Sequence, residues 1–571
     1  MNNFKKIVAG DLHSAIIKIA ENVELTKDDI LDMFEYPPDS ALGDIAFPCF
    51  KLSRILRKAP AIIAKEIAEN LSSQVIARAE AVNAYLNIFV SNDYLIKNVL
   101  FKIEDEGDKY GSDGSGKGKI AVFDYSSPNV AKPFHIGHLG TTIIGHSLKM
   151  LHQFQGYECV GINYIGDWGT QFGKLIVAYN MWGNKEKVEK GGVDELVALY
   201  VKFHEEAEKD ESLTQRAREE FTKLEHHDET NIALWKWFVD LSLVEYKKTY
   251  KQLGIEFDSY KGESFYTDKM PAQIEILREK NLLKIDDGAS IVDLTEYNMP
   301  PCLILKRDGS TLYPTRDIAA AVYRKQAYNF DKCIYVTSAG QSLHFAQWFK
   351  VLELMGYDWH NQLVHVPYGT VSINNEKLAT RTGNVILLKD LFATAIEKVN
   401  EIMDEKNPDL PNKAEVAEAV GVGSVIFYYL YNNRIKDINF VMKDALSFDG
   451  NTGPYAQYTY ARTSGILEKA NGVDFSATEP QITTAEEADL LKVLSKFNEA
   501  VKDAINDYEP SVITRYIIDI CSAFNKFYHN CQILSASDEV VRNTRIRLVS
   551  ATRTVLGSAF GLICLKKTEK I

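Results

Sequence analysis

The sequence predicts an α/β protein in three parts, and three observations lead to that prediction. Strand, helix and strand patterns follow one another with short connections between Ile120 and Tyr164, which is typical of a parallel sheet. A polar linker rich in glycine and serine, Gly111 to Gly118, precedes them and marks a domain boundary. From about Asn412 onward the hydrophobic periodicity is helical, with no convincing strand, which indicates an α-helical bundle.

The first predicted domain spans residues 1–112. Apolar positions at helical spacing predict a helix from Ala61 to Leu71, and Ala81 to Val90 has the pattern of a strand. Met1 to Gly10 lacks the charge, apolar run and cleavage site of a secretory signal, and no apolar run in the chain is long enough to span a membrane. We therefore expect a cytoplasmic protein without a membrane partner.

The second predicted domain, residues 118–411, contains the parallel sheet. Ile120 to Tyr125 is predicted as its first strand, Ile136 to Phe154 as the following helix, and Cys159 to Tyr164 as the next strand. Four further strands are predicted: Ile291 to Leu294, Cys302 to Leu305, Lys332 to Val336 and Leu363 to Val366. A charge-rich helical insertion, about 185–260, interrupts the sheet, and the helical third domain spans residues 412–571.

The composition is that of a soluble globular protein, with 571 residues, 46% of them hydrophobic and 25% charged. The net charge of −13 argues weakly against nucleic-acid binding, although a phosphate-binding surface can be local. After Val540 seven basic residues oppose only one acid, Glu569, and we interpret this stretch as a solvated helix face. The seven cysteines are odd in number and form no C-x-x-C pair, which argues against a disulfide framework and a thiolate zinc site.

The most informative segment is His135-Ile-Gly-His138, placed where the first sheet strand hands over to the first helix. A helix N-terminus offers free N–H groups and a positive dipole end, which suit phosphate. His135 and His138 share one face of the first turn, Gly137 allows a ligand to approach the backbone, and Lys132 adds a positive charge. Half of a zinc site, or a chance pair, is the alternative for two histidines at this spacing.

The surrounding string, SSPNVAKPFHIGHLGTTIIGHSL, resembles the HIGH motif of class I aminoacyl-tRNA synthetases in its arginyl form. Further strings similar to that family are NYIGDWGTQFGKL, DGSTLYPTRDIA and FDGNTGPYAQYTYAR, together with Tyr85 to Phe89. The resemblance covers essentially the whole chain. It implies a Rossmann-like catalytic domain, an additional N-terminal tRNA-binding domain and an all-α anticodon-binding C-terminal domain.

The second signature of that class, KMSKS, is degenerate here. Its nearest match is Lys377 to Arg381, where Thr380 replaces the second lysine. In the resembling enzymes a lysine just before the HIGH motif substitutes, and Lys132 has that place. The resemblance therefore implies that Lys377, Arg381 and Gly137 lie at the ATP, with separate roles for Lys377 and Arg381 left open.

The implied reaction activates L-arginine with ATP to arginyl-adenylate and transfers it to tRNA(Arg), releasing pyrophosphate and AMP. The attacking carboxylate is already an anion, so positioning and charge neutralisation must supply the catalysis. His135, His138 and Lys132 are the expected catalytic residues. Mg²⁺ is expected mainly on the ATP phosphates, without zinc, and we expect a monomer.

A guanidinium group is best met by carboxylates and fixed acceptors. By the resemblance, five side chains bind arginine: Asp124, Asn129, Tyr313, Asp317 and Gln341. The two carboxylates and Tyr313 would take the guanidinium, while Asn129 and Gln341 would hold the ammonium and carboxylate end. The alternatives are an ion pair between Asp317 and Arg316, and a place in the core for Tyr313.

Tyr455 and Tyr458 are three residues apart after Gly453-Pro454, near a predicted helix start. The resemblance places this string at the anticodon loop, where exposed aromatic rings stack on bases. The alternative is that both rings pack between helices. For the whole chain, the alternatives are another class I synthetase for a cationic amino acid, such as lysine, and a non-catalytic tRNA-binding paralogue.

Overall fold

The structure, a computed structural model, describes residues 1–20, 23–373, 376–377 and 386–571. Within these residues the chain has the predicted class of fold: an α/β N-terminal part, a parallel sheet with a helical insertion, and a helical C-terminal part. The exact division at residues 112, 118 and 411 stays a prediction. No helix among the described residues is both long and apolar enough to cross a membrane.

The N-terminal part packs helices against a three-stranded sheet of order β1-β3-β2. Its elements are α1 (Asn2–Ile19), α2 (Lys27–Met33), β1 (Ile45–Pro48), α3 (Ser53–Leu56), α4 (Pro60–Asn70), β2 (Ile76–Val82), β3 (Tyr85–Val90), α5 (Asn92–Leu95) and α6 (Phe101–Glu106). The predicted helix at 61–71 is confirmed as α4. The single strand predicted at 81–90 is wrong, because the chain turns at Asn83, in the left-handed region at φ 53°, and divides it between β2 and β3.

The second part is built on a four-stranded parallel sheet of order β10-β9-β4-β5. Its elements up to the insertion are β4 (Ile120–Asp124), α7 (Ile136–Phe154), β5 (Glu158–Ile162) and α8 (Thr170–Trp182). The insertion is helical, as predicted, and consists of α9 (Lys185–Gly191), α10 (Val193–Ala207), α11 (Ser212–Glu225) and α12 (Glu229–Leu253). Helix α7 has the predicted bounds, and the strands predicted at 120–125 and 159–164 are confirmed to within two residues.

The chain then returns to the sheet through α13 (Met270–Glu279), β6 (Leu283–Asp286), β7 (Ala289–Val292), β8 (Cys302–Leu305), α14 (Tyr313–Tyr328), β9 (Lys332–Ser338), α15 (Ser342–Leu354), β10 (Leu363–Tyr368), β11 (Val371–Ile373), β12 (Glu376–Lys377) and α16 (Leu388–Lys406). The strands predicted at 332–336 and 363–366 are β9 and β10 of the parallel sheet. Placing those predicted at 291–294 and 302–305 there is wrong, since β6, β7 and β8 form a separate antiparallel sheet. The connections 287–288 and 293–301 are too short for a parallel crossover.

The C-terminal part is a helical bundle with one short strand. Its elements are α17 (Lys413–Tyr431), β13 (Ile438–Phe440), α18 (Met442–Ala445), α19 (Gly453–Lys469), α20 (Ala485–Leu494), α21 (Phe497–Asn506), α22 (Ser511–Asn530) and α23 (Glu539–Gly561). The prediction of no strand after Asn412 is wrong at β13, which pairs parallel with β11. A three-residue strand is too short to show an alternating pattern.

Two of the four arginines in the basic C-terminal stretch do not belong to a solvated face. Arg545 and Arg547 are buried, and they pair with Glu487 at 2.7 Å and Glu104 at 2.5 Å. The Arg547–Glu104 pair joins the C-terminal bundle to the N-terminal part, as does Lys492 with Asp44 at 2.9 Å. Charge in this stretch therefore holds parts of the chain together. All seven cysteines are free.

Candidate active site

A cleft of about 530 Å³ opens at the carboxyl ends of β4 and β9, which are neighbours in the sheet. After β4 the chain continues to β5 on one side, and after β9 it continues to β10 on the other side. The direction of the connections therefore reverses between β4 and β9, and ligands of α/β proteins bind at such points. Six residues predicted from the sequence line the cleft: Asp124, Asn129, His138, Tyr313, Asp317 and Gln341. His135, Gly137 and Lys132 lie on the adjoining loop and helix end but do not line it.

The loop between β4 and α7 has an unusual backbone. Ser126, Ser127 and Ala131 have φ values of 72°, 47° and 57°, in the left-handed region that non-glycine residues seldom occupy. Hydrogen bonds hold each of them: Ser127 Oγ donates to Asp124 Oδ1 at 3.0 Å, Ser126 Oγ contacts Tyr250 Oη at 2.8 Å, and Ala131 N donates to Ser242 Oγ at 3.1 Å. Such strain persists where surrounding contacts over-determine the backbone, and it is common at functional sites.

Helix α12 of the insertion supplies much of this support. Tyr246 Oη lies 2.7 Å from the carbonyl oxygen of Asn129 and 2.8 Å from that of Lys132. The Phe134 ring packs against Tyr246 and Tyr250, with ring centroids 5.8 and 5.7 Å apart. The insertion therefore holds the motif loop against the sheet.

The rings of His135 and His138 each accept a hydrogen bond from a backbone N–H at the start of α7. Gly137 N donates to His135 Nδ1 at 3.1 Å, and His135 N donates to His138 Nδ1 at 3.2 Å. Burial and then the neighbouring charges of His135 and Lys132 lower the pKa of His138 to about 3, and burial and Lys132 lower the pKa of His135. Both rings are therefore neutral near pH 7. Since each Nδ1 accepts a hydrogen bond, each Nε2 carries the proton and is a donor.

Gly137 is required where it lies, because a Cβ on it would come within 2.8 Å of the His135 ring. The segment 386–388 docks beside the motif: Ile136 N donates to Ile386 O at 3.3 Å and Leu388 N donates to Phe134 O at 3.0 Å. Arg381 lies outside the described residues, and so does the side chain of Lys377 in β12. Lys132 is exposed on the loop.

Asp317 faces a histidine, not Arg316. His344 Nε2 lies 2.6 Å from Asp317 Oδ2, while Arg316 pairs with Glu263. The alternative of an Arg316–Asp317 ion pair is therefore wrong. A core position for Tyr313 is also wrong, because 67% of its surface is exposed at the cleft.

Asp124 is buried at the floor of the cleft and is already paired. Arg324, 1% exposed, donates to Asp124 Oδ2 at 2.8 Å. Burial raises the pKa of Asp124, and Arg324 opposes that rise, so the chain itself compensates much of this carboxylate's charge. Its predicted contact with arginine stays a prediction.

Glu263 and His344 are among the cleft residues that had not been predicted from the sequence. Burial raises the pKa of Glu263 to about 7, while the Arg316 guanidinium opposes that rise. Glu263 is the first residue of a short 3₁₀ helix (Glu263–Lys269) that has no apolar periodicity or motif, so no sequence signal identifies it. His344 follows Gln341 by three residues at a helix start, a spacing that a search around Gln341 would have found.

The two tyrosines of α19 differ in their surroundings. Tyr458 is 42% exposed, and the guanidinium of Arg462 lies 5.0 Å from its ring and 4.8 Å from the ring of Tyr528. Tyr455 is half-buried, and its hydroxyl accepts from Asn525 Nδ2 at 2.9 Å. Exposure therefore favours Tyr458 over Tyr455 as a surface for a stacked base.

Three family models match the chain in order. They are described as arginyl tRNA synthetase N terminal domain, on residues 3–90, tRNA synthetases class I (R), catalytic domain, on 99–442, and DALR anticodon binding domain, on 456–571. The parallel sheet, the His135–His138 motif at its first helix and the helical C-terminal domain define a class I aminoacyl-tRNA synthetase.

Comparison with individual proteins narrows the class. The chain is 49% identical to the arginine–tRNA ligase of Clostridium perfringens over 100% of both chains. It is 48% identical to that of Alkaliphilus metalliredigens over 100% of both chains, and 50% identical to one from Clostridium botulinum over 97% of this chain and 98% of the other. The chain belongs to the arginyl-tRNA synthetase family.

Solved structures of low sequence identity share the fold. The arginyl-tRNA synthetase of Plasmodium falciparum superposes with a TM-score of 0.80 at 23% identity, covering 99% of this chain and 98% of the other. That of Thermus thermophilus gives 0.79 at 23% identity, covering 98% and 99%. The architecture is therefore that of the whole enzyme rather than of one domain.

Proposed function

We propose how this chain carries out arginine–tRNA ligation, the reaction of its family. The observation that carries the proposal is the convergence of Asn129, His138, Tyr313, Asp317 and Gln341 on one cleft at the carboxyl ends of β4 and β9. These residues come from four separate elements or loops of the fold. They divide the cleft into an acidic end for the amino acid and a motif end for ATP.

At the acidic end, Asp317 binds the guanidinium of arginine and Tyr313 packs on it or bonds to it. Glu263 adds a second carboxylate beside Asp317, which suits a planar cation with several donors. Asn129 and Gln341 hold the ammonium and carboxylate end of the substrate. The substrate carboxylate then lies toward His138, where the α-phosphorus of ATP must be.

At the motif end, His138 and His135 donate from Nε2 to oxygens of ATP that gain charge in the transition state. Gly137 and the N-terminus of α7 lie beside the nucleotide, with Lys132, Lys377 and Arg381 as the cations. Mg²⁺ is carried mainly by the ATP phosphates, because the carboxylates described in the cleft already face cationic or histidine partners. No zinc is required by this chemistry.

The N-terminal and C-terminal domains bind tRNA(Arg). In the C-terminal domain, Tyr455 and Tyr458 are assigned to the anticodon loop, with Tyr458 as the better exposed ring. The enzyme acts as a cytoplasmic monomer. Sedimentation of the purified protein in the presence and absence of tRNA tests the monomer, which a concentration-independent dimer would contradict.

The decisive test is aminoacylation of total tRNA with each of the twenty amino acids. Charging with arginine alone is the expected result, and charging with lysine or no ATP-dependent charging would contradict the proposal.

Asp317→Asn should weaken arginine binding about 30-fold or more, because removing one partner of a desolvated charge pair costs about 2–5 kcal/mol. ATP affinity should be unchanged, and Asp293→Asn, an exposed carboxylate paired with Lys284, is the control.

A further inference from the structure

Beneath the cleft, polar contacts run from a buried arginine to the loop that carries the His135–His138 motif. Arg324, on α14, donates to Asp124 Oδ2 at 2.8 Å, at the end of β4. Asp124 Oδ1 accepts from Ser127 Oγ at 3.0 Å. The same serine oxygen accepts from the backbone N–H of Tyr164 at 3.2 Å, in the loop after β5. Ser127 is thus bonded to the end of β4, to the loop after β5 and, through Asp124, to α14.

Arg324 cannot move to follow a substrate. It is 1% exposed, and its guanidinium carbon lies 5.1 Å from the ring centroid of Tyr164 and 5.4 Å from that of Tyr335. Aromatic faces attract a cation, and here they also exclude water. The guanidinium is therefore a fixed anchor for the Asp124 carboxylate.

The turn at Ser126 and Ser127 needs such an anchor. Ser126 and Ser127 have positive φ values, 72° and 47°. A serine in this left-handed region is strained, so other contacts must stabilise it there. The hydrogen bond that Ser127 Oγ donates to Asp124 forms only while the Asp124 carboxylate points toward the loop. Two residues further on, the loop presents Asn129 to the cleft, and it ends at His135.

We propose that Arg324 is a positioning residue, which acts through Asp124 and Ser127 to hold the Ser126–Ser127 turn and thereby fix Asn129 and His138 relative to the sheet. In this role Asp124 supports the loop, and the substrate guanidinium is bound by Asp317 and Glu263. The inference rests on the proposed function for the roles of Asn129 and His138.

Steady-state aminoacylation of Asp124→Asn, Arg324→Lys, Arg324→Met and Ser127→Ala tests the proposal. Asp124→Asn and Arg324→Met should lower kcat about 10²-fold, because small displacements of positioned groups cost that much. The KM for arginine, which Asn129 also affects, should change much less than kcat does. Arg324→Lys keeps the charge and should recover part of the rate. Ser127→Ala should lower kcat about fivefold, the size expected for one hydrogen bond.

Ser127→Ala keeps the test independent of folding, because it removes one hydroxyl from a half-buried position. Arg545→Met is the matched control for a buried arginine, since Arg545 pairs with Glu487 at 2.7 Å far from the cleft; it should lower Tm without lowering kcat at 25 °C. Ser476→Ala is the control for a serine bonded to a carboxylate, Asp474 at 2.7 Å, and should change nothing.

An increase in the arginine KM of Asp124→Asn at unchanged kcat would show that Asp124 binds the substrate, and would overturn the proposal. Wild-type kcat in both Ser127→Ala and Arg324→Lys would overturn it as well. A wild-type rate in His138→Ala is a different failure, because it contradicts the role of His138 in the proposed function and leaves the effects of Arg324 and Asp124 to be explained separately.

Discussion

At the scale of single residues, hydrogen bonds from neighbouring backbone N–H groups determine the tautomers of His135 and His138. Each Nδ1 accepts a backbone N–H, so each ring presents Nε2–H as a neutral donor at pH 7. A neutral donor stabilises developing negative charge without the cost of burying a second positive charge beside Lys132. The pair therefore suits transition-state stabilisation and does not suit proton abstraction.

His138→Ala should slow arginyl-adenylate formation by about 10²–10³ at saturating substrates, the usual loss for one preorganised donor. The affinity for arginine should change much less, because the ring belongs to the ATP end of the cleft. Pre-steady-state formation of the adenylate, with bound tRNA, is the measurement. His226→Ala, at an exposed histidine of the insertion, should retain the wild-type rate; loss of arginine binding in His138→Ala at an unchanged rate would contradict the assigned role.

The raised pKa of Glu263 predicts how arginine binding depends on pH. Its pKa is raised to about 7, by burial first, so the carboxylate that helps bind the guanidinium is ionised above pH 7 and protonated below. The arginine KM should therefore fall about tenfold from pH 6 to pH 8 as this carboxyl ionises. Protein stability should change in the opposite direction. Because the pKa of Glu263 is higher in the folded state than in the unfolded state, its contribution to the free energy of unfolding increases as the pH falls from 7 toward 4.5.

Measuring the arginine KM of wild type and Glu263→Gln between pH 6 and pH 8 checks this. The variant should have a higher KM and a flat profile. An unchanged slope in Glu263→Gln would assign the pH dependence to another group near the cleft, where Arg316, Asp317 and Asp167 are the charges that act on Glu263.

Site residues that lie in one continuous sequence motif were predictable, and site residues that stand alone in the sequence were not. Asn129, His135 and His138 share one string, so their order along the chain already indicates a common site. Glu263 reaches the cleft from a short 3₁₀ helix and His344 from α15, and only the folded chain brings them to Asp317. The compensation of Asp124 by Arg324 was hidden for the same reason, because their positions are 200 residues apart.

At the scale of elements, prediction succeeded for long periodic segments and failed where turns lacked their usual residues. Helix α7 is 19 residues long, and its predicted bounds are confirmed. The β2–β3 hairpin turns at Asn83-Ala84, without the glycine that normally marks such turns, so it was predicted as one strand. The antiparallel β6–β8 sheet was misassigned because short apolar strands do not reveal their partners.

Helix α19 carries the prediction for tRNA. Tyr458→Ala should raise the tRNA KM about 5- to 150-fold, since stacking on a base is worth about 1–3 kcal/mol, with little effect on Tm. Tyr455→Ala should raise the tRNA KM less and should also lower Tm, because its half-buried ring and its bond with Asn525 join α19 to α22. Aminoacylation at varied tRNA, with melting curves for both variants, separates the two effects. Equal tRNA KM values for Tyr458→Ala and wild type would place the anticodon contact elsewhere.

At the scale of the whole molecule, ion pairs link the N-terminal part to the C-terminal bundle. Arg547→Met should lower the free energy of unfolding by about 1.5–3 kcal/mol, the usual net contribution of hydrogen bonds to a charged group, here those that the buried Arg547 donates to the solvent-accessible Glu104. Chemical denaturation measures this. Lys570→Met, which removes an exposed pair with Glu468, should cost about 0–1 kcal/mol, and neither variant should alter the arginine KM. Equal effects of the two variants would mean that the Arg547 pair contributes no more than a surface contact.

The same contacts have a consequence for synthesis on the ribosome. Lys5 in α1 pairs with Glu499 in α21, 494 residues later in the chain. At about 5–20 residues per second, translation separates these partners by about 25–100 s. The N-terminal part can build its own small sheet early, but its face toward α20 and α21 stays uncovered until the bundle emerges. During that interval a chaperone, or another nascent chain on the same message, is able to bind the uncovered face before the C-terminal bundle does.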